Sequence, residues 1–365
     1  MPERAIADFK RALVIKLRHH GDVLLTAPVF SALAAAQPGI EIDALIYHDT
    51  REMLGLHPHV REIHTIGRDW RTLGPLAQLA RYWRLYRTLR LRRYDLIVHL
   101  TDHWHGARLA RLLKPRVSVA PVGTKGSARA NRVWNRSFSA LFPILPGNRR
   151  HTIEMHLDAL RRIGIQPTDK TLTFVAGAEA EASVAAKLAR HALTAGRYVL
   201  VHPTSRWMFK AWPAGRMAEL LNVLIGRGEQ IVLSAAPSAE ERAWMAGLTP
   251  LLRGPYVDLT GQLTLKELGA LIAGAKVLIG VDSLPIHLAG AVRTPVVVLF
   301  GPSGDIEWAP WRVPHRIVAA AFSCRPCGRA GCGDGQVSEC LTTIPVSQVL
   351  AAFDALLDEV GRSAR

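Results

Sequence analysis

The chain has no apolar run long enough to cross a bilayer. Stretches such as Leu278-Ile279-Gly280-Val281 and Pro295-Val296-Val297-Val298-Leu299-Phe300 end after a few residues, whereas a spanning helix needs about 20. The start, Met1-Pro2-Glu3-Arg4, carries an acid and no apolar h-region, so no secretory signal is read and a cytoplasmic location is expected. No Gly-x-Gly-x-x-Gly follows the first apolar strand, which argues against a nicotinamide-nucleotide dehydrogenase. Zinc-finger spacing, the RRM signature and the KH loop are missing too, so nucleic acid is not an expected partner. There is no fixed-period repeat and no low-complexity tract. Cysteine is scarce: all four fall in Cys324-x2-Cys327-x4-Cys332-x7-Cys340. A cytoplasmic compartment argues against two disulfides there. Four neighbouring thiolates can hold a structural zinc, but the spacing is not that of a zinc ribbon, and free cysteines are the other reading.

Acid is scarce in the first half. Residues 1–165 hold 27 Lys and Arg against 13 Asp and Glu, while residues 166–365 hold 19 against 17, so nearly all of the formal charge of +16 lies in the first half. The densest part is Arg68 to Arg93, with eight arginines and a single Asp69. Within it Leu76, Leu79, Trp83, Tyr86 and Leu89 recur at helical spacing, with Arg81, Arg84, Arg87 and Arg90 on another stripe. This is either an amphipathic helix suited to an anionic membrane surface or a packed helix with a solvated arginine face.

At 365 residues the chain is long for one core, and two domains are expected. Short apolar strands at 12–17, 40–46, 95–100, 116–120, 198–202, 230–234, 276–281 and 294–300 alternate with helical patterns at 23–37, 71–91, 214–226 and 264–273. That alternation implies α/β domains with parallel sheets. Its repetition implies two Rossmann-like domains facing each other across a cleft, residues 1–170 and 171–345, and a final helix in 346–365.

Three loops after strands carry chemistry. Arg18-His19-His20-Gly21-Asp22 follows the first strand and holds one glycine and one carboxylate. That suits a general base better than a phosphate cradle, with Asp22 as a plain helix cap as the alternative. Pro203-Thr204-Ser205 through Lys210 follows a strand of the second half. Two hydroxyls and an ammonium fit a diphosphate; an irregular loop with a surface lysine is the plainer reading. Gly280-Val281-Asp282-Ser283-Leu284 opens a helix whose N–H groups can meet the same diphosphate. Asp282 there caps the helix or takes sugar hydroxyls. His287, one turn on, is either a ligand contact or a satisfied core histidine. Glu240 or Glu241 accepts from the nucleoside or is an ordinary first-turn acid.

Taken together and in this order, these pieces resemble the bacterial ADP-heptose:lipopolysaccharide heptosyltransferases, over residues from about Arg11 to Val360. The loop 18–22, the stretch Tyr94 to Asp102 and Phe209-Lys210-Ala211-Trp212 are most similar to the type III branch. That branch adds a side heptose to the second heptose of the inner core. The resemblance implies a GT-B fold, with the acceptor on the first domain, ADP-heptose on the second, and the final helix crossing back to the first. It implies inversion at the anomeric carbon with no required cofactor or metal. In that scheme Asp22 takes the acceptor proton and Lys210 stabilises departing ADP. Thr204, Ser205, Glu240 (or Glu241), Asp282, Ser283, Leu284 and His287 bind the donor, and Arg18, Arg129, Arg132 and Arg136 bind the acceptor. It further implies a monomer at the cytoplasmic face of the inner membrane, acting on an anionic lipopolysaccharide core. Another acceptor for the same GT-B chemistry and a non-catalytic nucleotide- or membrane-binding module are the alternatives.

Overall fold

The computed structural model describes residues 8–124, 126–145 and 147–363. They divide into two compact units: residues 8–145 with Thr152–Phe174, and Gly147–His151 with residues 175–363.

The first unit runs β1 (Arg11–Lys16), α1 (His20–Leu24), α2 (Ala27–Ala36), β2 (Glu41–Tyr47), β3 (Glu62–Ile66), α3 (Pro75–Leu91), β4 (Leu96–His99), α4 (Trp104–Leu113), β5 (Val117–Pro121), α5 (Ala128–Asn135), β6 (Ala140–Phe142) and α6 (Thr152–Arg162). Its six strands are all parallel, in the order β3-β2-β1-β4-β5-β6. The second runs α7 (Ala178–Arg190), β7 (Tyr198–His202), α8 (Ala214–Gly226), β8 (Gln230–Leu233), α9 (Ala239–Leu248), β9 (Tyr256–Asp258), α10 (Leu265–Ala273), β10 (Val277–Val281), α11 (Leu284–Val292), β11 (Val296–Leu299), β12 (His315–Val318), α12 (Glu339–Thr342) and α13 (Val346–Ser363). Its order, β12-β11-β10-β7-β8-β9, is the same topology repeated. Both are the doubly wound Rossmann arrangement, whose strand order reverses beside the first strand.

The eight strands expected from apolar runs are the eight interior strands. The four that were not expected, β3, β6, β9 and β12, are the four edges. Interior parallel strands are covered on both faces and read as continuous hydrophobics. An edge strand such as Glu62-Ile63-His64-Thr65-Ile66 has one neighbour and tolerates polar residues. The helix expected over 23–37 is broken into α1 and α2. Pro28 sits in the first turn of α2, lacks an N–H and cannot continue a helix from α1; the Thr26 hydroxyl instead donates to the Val23 carbonyl, 2.6 Å away. Likewise α3 begins at Pro75 rather than at residue 71.

Burial organises each unit separately. In the first, Leu13, Ile15, Leu45, Leu85, Leu89 and Ile97 form one cluster, and Ala107, Ala120, Trp134 and Phe138 a second. His99 stacks on Phe138 with ring centroids 5.7 Å apart, and its ring fills the space where a side chain at Gly106 would stand. In the second unit Trp212, Leu221, Ile279 and Val297 lie in one cluster with Val346, Val349, Phe353 and Leu356 of α13. The terminal helix expected to cross to the first domain therefore has its buried face in the core of the second unit. The strap Gly147–His151 belongs there too: the Asn148 Oδ1 accepts from the N–H groups of Ile306 and Glu307 at 2.8 and 2.9 Å.

Two buried histidines of the first unit give the fold an acid sensitivity. Burial pushes His57 down to about 4 and His99 down to about 3, from the usual 6.5. The unfolded chain then takes these protons first. Stability is fully present above about pH 6.5 and is lost as pH falls towards 4 and then 3. Asp43, held near 2 by His64, Arg92 and Tyr94 against the opposing effect of burial, adds a further loss below about pH 4. The urea midpoint is expected to fall steadily between pH 7 and 4.5, and the His57→Phe/His99→Phe double variant to flatten that slope. An unchanged slope in the double variant would refute the assignment.

Candidate active site

The reversal of strand order lies between β1 and β4 in the first unit and between β7 and β10 in the second. Loops leaving neighbouring strands there diverge, one to each face of the sheet, and leave a crevice at the carboxyl edge. The three sequence motifs fall on three of these four loops.

In the first unit, β1 ends on Lys16, which is buried. Its ammonium donates to the Leu100 carbonyl at 3.2 Å and to His156 Nε2 at 2.9 Å. The other His156 nitrogen donates to the Leu25 carbonyl at 3.0 Å, which leaves Nε2 as an acceptor. Asp22 lies in the first turn of α1 with its side chain about a quarter exposed, one carboxylate oxygen 3.8 Å from Lys16 Nζ. Burial pushes Lys16 down to about 8, against the pull of Asp22. The cap position of α1 is His19, and no side chain caps that helix. Asp22 is therefore not a helix cap: it is a partly open carboxylate with a buried cation behind it.

The loop is fixed from the side. Arg18 pairs with Asp102, on the loop after β4, at 3.1 Å, and the Arg18 carbonyl accepts from Arg68 at 2.9 Å. Arg68 itself grips Asp49 through Nε at 3.0 and 3.1 Å. The Arg18–Asp102 pair is exposed and adds little stability; its effect is orientation. Arg129 and Arg132 on α5, with Arg136 just after it, are all exposed at spacings of three and four residues. They form one basic stripe following β5.

In the second unit the Thr204 hydroxyl is not open. It donates to Glu241 Oε2 at 2.6 Å, an oxygen that also accepts from the Ala236 N–H at 3.1 Å. Glu241 is buried, whereas Glu240 is exposed on the same turn of α9, so Glu241 is the acid beside the β7 loop. Ser205 is buried and its hydroxyl oxygen accepts from the Trp207 N–H at 3.1 Å. Lys210 and Asp282 form an ion pair at 2.6 Å and join the loop after β7 to the loop after β10. The Ser283 hydroxyl is 3.3 Å from the carbonyls of both Thr204 and Val281. Ser283 is the cap residue of α11, without a side-chain capping bond, Leu284 opens the helix, and His287 is buried one turn on. Its ring centroid is 6.2 Å from that of Trp308. Residue 307 brings a further carboxylate: Glu307 is pushed up by burial and by Asp282 nearby.

Sequence reasoning missed Lys16, His156 and Glu307. Lys16 left a trace, a lone charge in the apolar run Val14-Ile15-Lys16-Leu17. His156 and Glu307 left none, because they reach their places from distant elements. The cysteines lie near one another without closing into a ligand set: the Cys340 thiol is pushed up by burial, with Cys332 and Cys327 acting on it, and among the described residues no three of the four bring their sulfurs within 4.8 Å of one another. Cys324, Cys327 and Cys332 are exposed and Cys340 is buried. Among the described residues the one group of three or more ligand atoms lying within 4.8 Å of one another is Asp43, Glu62 and His64. That group is already occupied by protein partners: Asp43 accepts from Arg92 at 2.7 Å and from Tyr94 at 2.6 Å.

Residues 82–337 match the family model of glycosyltransferase family 9 (heptosyltransferase). The chain is 34% identical over 361 residues to lipopolysaccharide heptosyltransferase 3 of Escherichia coli K12, covering 95% of this chain and 98% of that one. Among solved structures it resembles a family 9 glycosyl transferase from Veillonella parvula, with TM-score 0.81 and 21% identity over 97% of this chain and 98% of that one. It also resembles the E. coli ADP-heptose lps heptosyltransferase II, with TM-score 0.74 and 20% identity over 96% and 99%.

Thr204→Val tests the geometry of the β7 loop. It removes the hydroxyl from a buried carboxylate and leaves Glu241 short of a donor, a loss of about 1–3 kcal/mol. Thr204→Ser is expected to restore most of it. Equal urea midpoints for all three proteins would show that the bond does not form.

Proposed function

The chain belongs to glycosyltransferase family 9, the heptosyltransferases, and from that premise we propose that it moves heptose from ADP-heptose to the lipopolysaccharide inner core, as a side heptose on the second heptose. The observation that carries the reading is the repeated reversal point. One holds two partly open carboxylates, Asp22 and the Arg18-paired Asp102, and the other joins hydroxyls, an ammonium and a helix start. The first is equipped to take a proton and the second to hold a departing diphosphate.

The acceptor hydroxyl oxygen attacks the anomeric carbon from the face opposite ADP. The new C–O bond forms as the bond to the β-phosphate oxygen breaks, and the configuration inverts. Asp22 removes the hydroxyl proton as the oxygen bonds. Lys16, 3.8 Å behind it, fixes the carboxylate in place by attraction. Negative charge gathers on the leaving phosphate oxygen, where Lys210, Ser205 and the backbone start of α11 at Ser283 and Leu284 stabilise it. In this scheme Lys210 leaves Asp282 for the phosphate, and Asp282 is freed to accept from heptose hydroxyls. His287 lines the sugar side. Glu241, oriented by Thr204, faces the nucleoside. No step requires a metal.

The first unit carries the acceptor. Arg18, Arg129, Arg132 and Arg136 supply positive charge for a phosphate-bearing glycolipid, which accounts for part of the charge imbalance between the halves. No helix of the described residues is long and apolar enough to cross a membrane. The acceptor is lipid-anchored, so the enzyme works as a peripheral protein at the cytoplasmic face of the inner membrane.

Incubation with ADP-heptose and a series of truncated cores, read by product mass and linkage, tests the acceptor. Heptose added to the first heptose, or to the lipid A-linked sugars, would overturn the assignment. For the base, Asp22→Asn is expected to lower the transfer rate by about 10²–10⁴-fold while ADP binding by calorimetry stays within twofold. Transfer by that variant at the native rate would remove Asp22 from the mechanism.

A further inference from the structure

The helix α3 has two apolar faces, and only one of them is packed. Leu85 and Leu89 are buried in the first unit's core, with Tyr82 partly buried against it. On the opposite side Leu76, Leu79 and Trp83 are 83%, 66% and 57% exposed. They follow one another at three- and four-residue spacing and so form one outward stripe. The apolar stripe legible in the sequence is therefore largely not the face that packs. Single exposed hydrophobics need no explanation, but an aligned Leu-Leu-Trp stripe does.

The charge around the stripe identifies what covers it. Residues 75–91 contain Arg81, Arg84, Arg87 and Arg90 and no acid, and all four arginines are exposed. On one flank a groove of about 590 Å³ between α3 and β3 is lined by Trp70, Arg81, Arg84, Thr88 and His64. Leucine and tryptophan bordered by arginine on one helix match a bilayer interface: the apolar residues enter the acyl boundary and the guanidinium groups meet phosphate headgroups. The direction of α3 agrees. The helix follows β3, so its apolar first half lies towards the carboxyl edge of the sheet, the edge that carries Asp22.

We propose that the outward stripe Leu76, Leu79 and Trp83, with Arg84, Arg87 and Arg90, is the surface by which the first unit docks on an anionic lipid bilayer. The proposal rests on the membrane-borne acceptor proposed above and adds the place of contact. Docked this way, the edge bearing Asp22 faces the layer in which the glycolipid's sugars stand.

The test is sedimentation of the full-length protein with vesicles, without donor or acceptor. Phosphatidylcholine vesicles are compared with vesicles enriched in phosphatidylglycerol. Wild type is expected to bind the anionic vesicles, and less so as salt is raised. The Leu76→Ser/Leu79→Ser/Trp83→Ser variant is expected to bind them roughly tenfold or more weakly. Arg87→Gln and Arg90→Gln are each expected to lose roughly fivefold. All variants should keep the wild-type melting curve and the wild-type rate on a soluble, deacylated acceptor. Undiminished vesicle binding by the triple variant would overturn the proposal, as would equal binding to both vesicle types. So would a wild-type dimer that the triple variant dissolves with vesicle binding unaltered, since the stripe would then be covered by a second copy. Failure of sugar transfer would count against the proposed reaction and leave the vesicle result standing.

Discussion

The chemistry of this chain depends on a topological constraint: a parallel sheet wound in both directions from its first strand has one place where neighbouring loops part. The chain makes such a sheet twice, with the order β3-β2-β1-β4-β5-β6 and its repeat in β7 to β12. Helices cover both faces of each sheet, so buried backbone leaves polar side chains few openings other than the strand ends. Asp22, Asp102, Thr204, Ser205, Asp282 and Ser283 all follow β1, β4, β7 or β10. Their distribution is a consequence of winding rather than of local propensity, and a catalytic acid placed after β2 would have no such crevice.

Within the first unit, the constraint is made specific by one buried ammonium. A lysine at the end of a central strand loses hydration, which favours its neutral form, and Lys16 falls to about 8. Near neutral pH it nevertheless keeps most of its charge, because the Leu100 carbonyl and His156 Nε2 accept from it and Asp22 lies 3.8 Å away. These partners come from the end of β4, α6 and α1, so one cation on β1 ties together four elements around the carboxylate. In the second unit the Lys210–Asp282 pair does the equivalent work between the loops after β7 and β10. The two differ in a way that suits their roles. Lys16 is enclosed and fixed, whereas the Lys210 side chain retains 19% exposure, as the proposed exchange of its carboxylate partner for a phosphate requires.

How much of this was legible follows from what each feature costs in sequence. Interior strands need apolar residues on both faces, so all eight stood out; edge strands such as Tyr256–Asp258 need little and did not. The break between α1 and α2 was signalled by Pro28 but hidden by the apolar periodicity running through it. The loops at 18–22, 203–210 and 280–284 were legible because polar residues cluster directly after apolar strands. Their internal pairings were not. Nothing near Thr204 announces that its hydroxyl is taken by Glu241, 37 residues away, and nothing near Lys16 announces His156, 140 residues away. Choosing between Glu240 and Glu241 likewise required the helix phase, which buries one and exposes the other.

The same limit explains α3. Periodicity identifies residues that share a face but not which face meets the core, and a helix with two apolar stripes gives two answers. The core of the first unit takes Leu85 and Leu89, which puts Leu76, Leu79 and Trp83 roughly 100–160° around the helix from the buried face. A soluble helix under ordinary constraint would replace such residues with charge, since exposed Leu and Trp gain nothing from water. Here charge is abundant in the helix and of one sign, yet the stripe remains apolar. A requirement for solubility alone predicts mixed charges on that face; contact with a surface that is apolar inside and anionic outside predicts the combination found. In the proposed docking, the positive first half and the uncovered stripe are two parts of one adaptation: electrostatic attraction brings the unit to the bilayer, and the leucines and tryptophan hold it there.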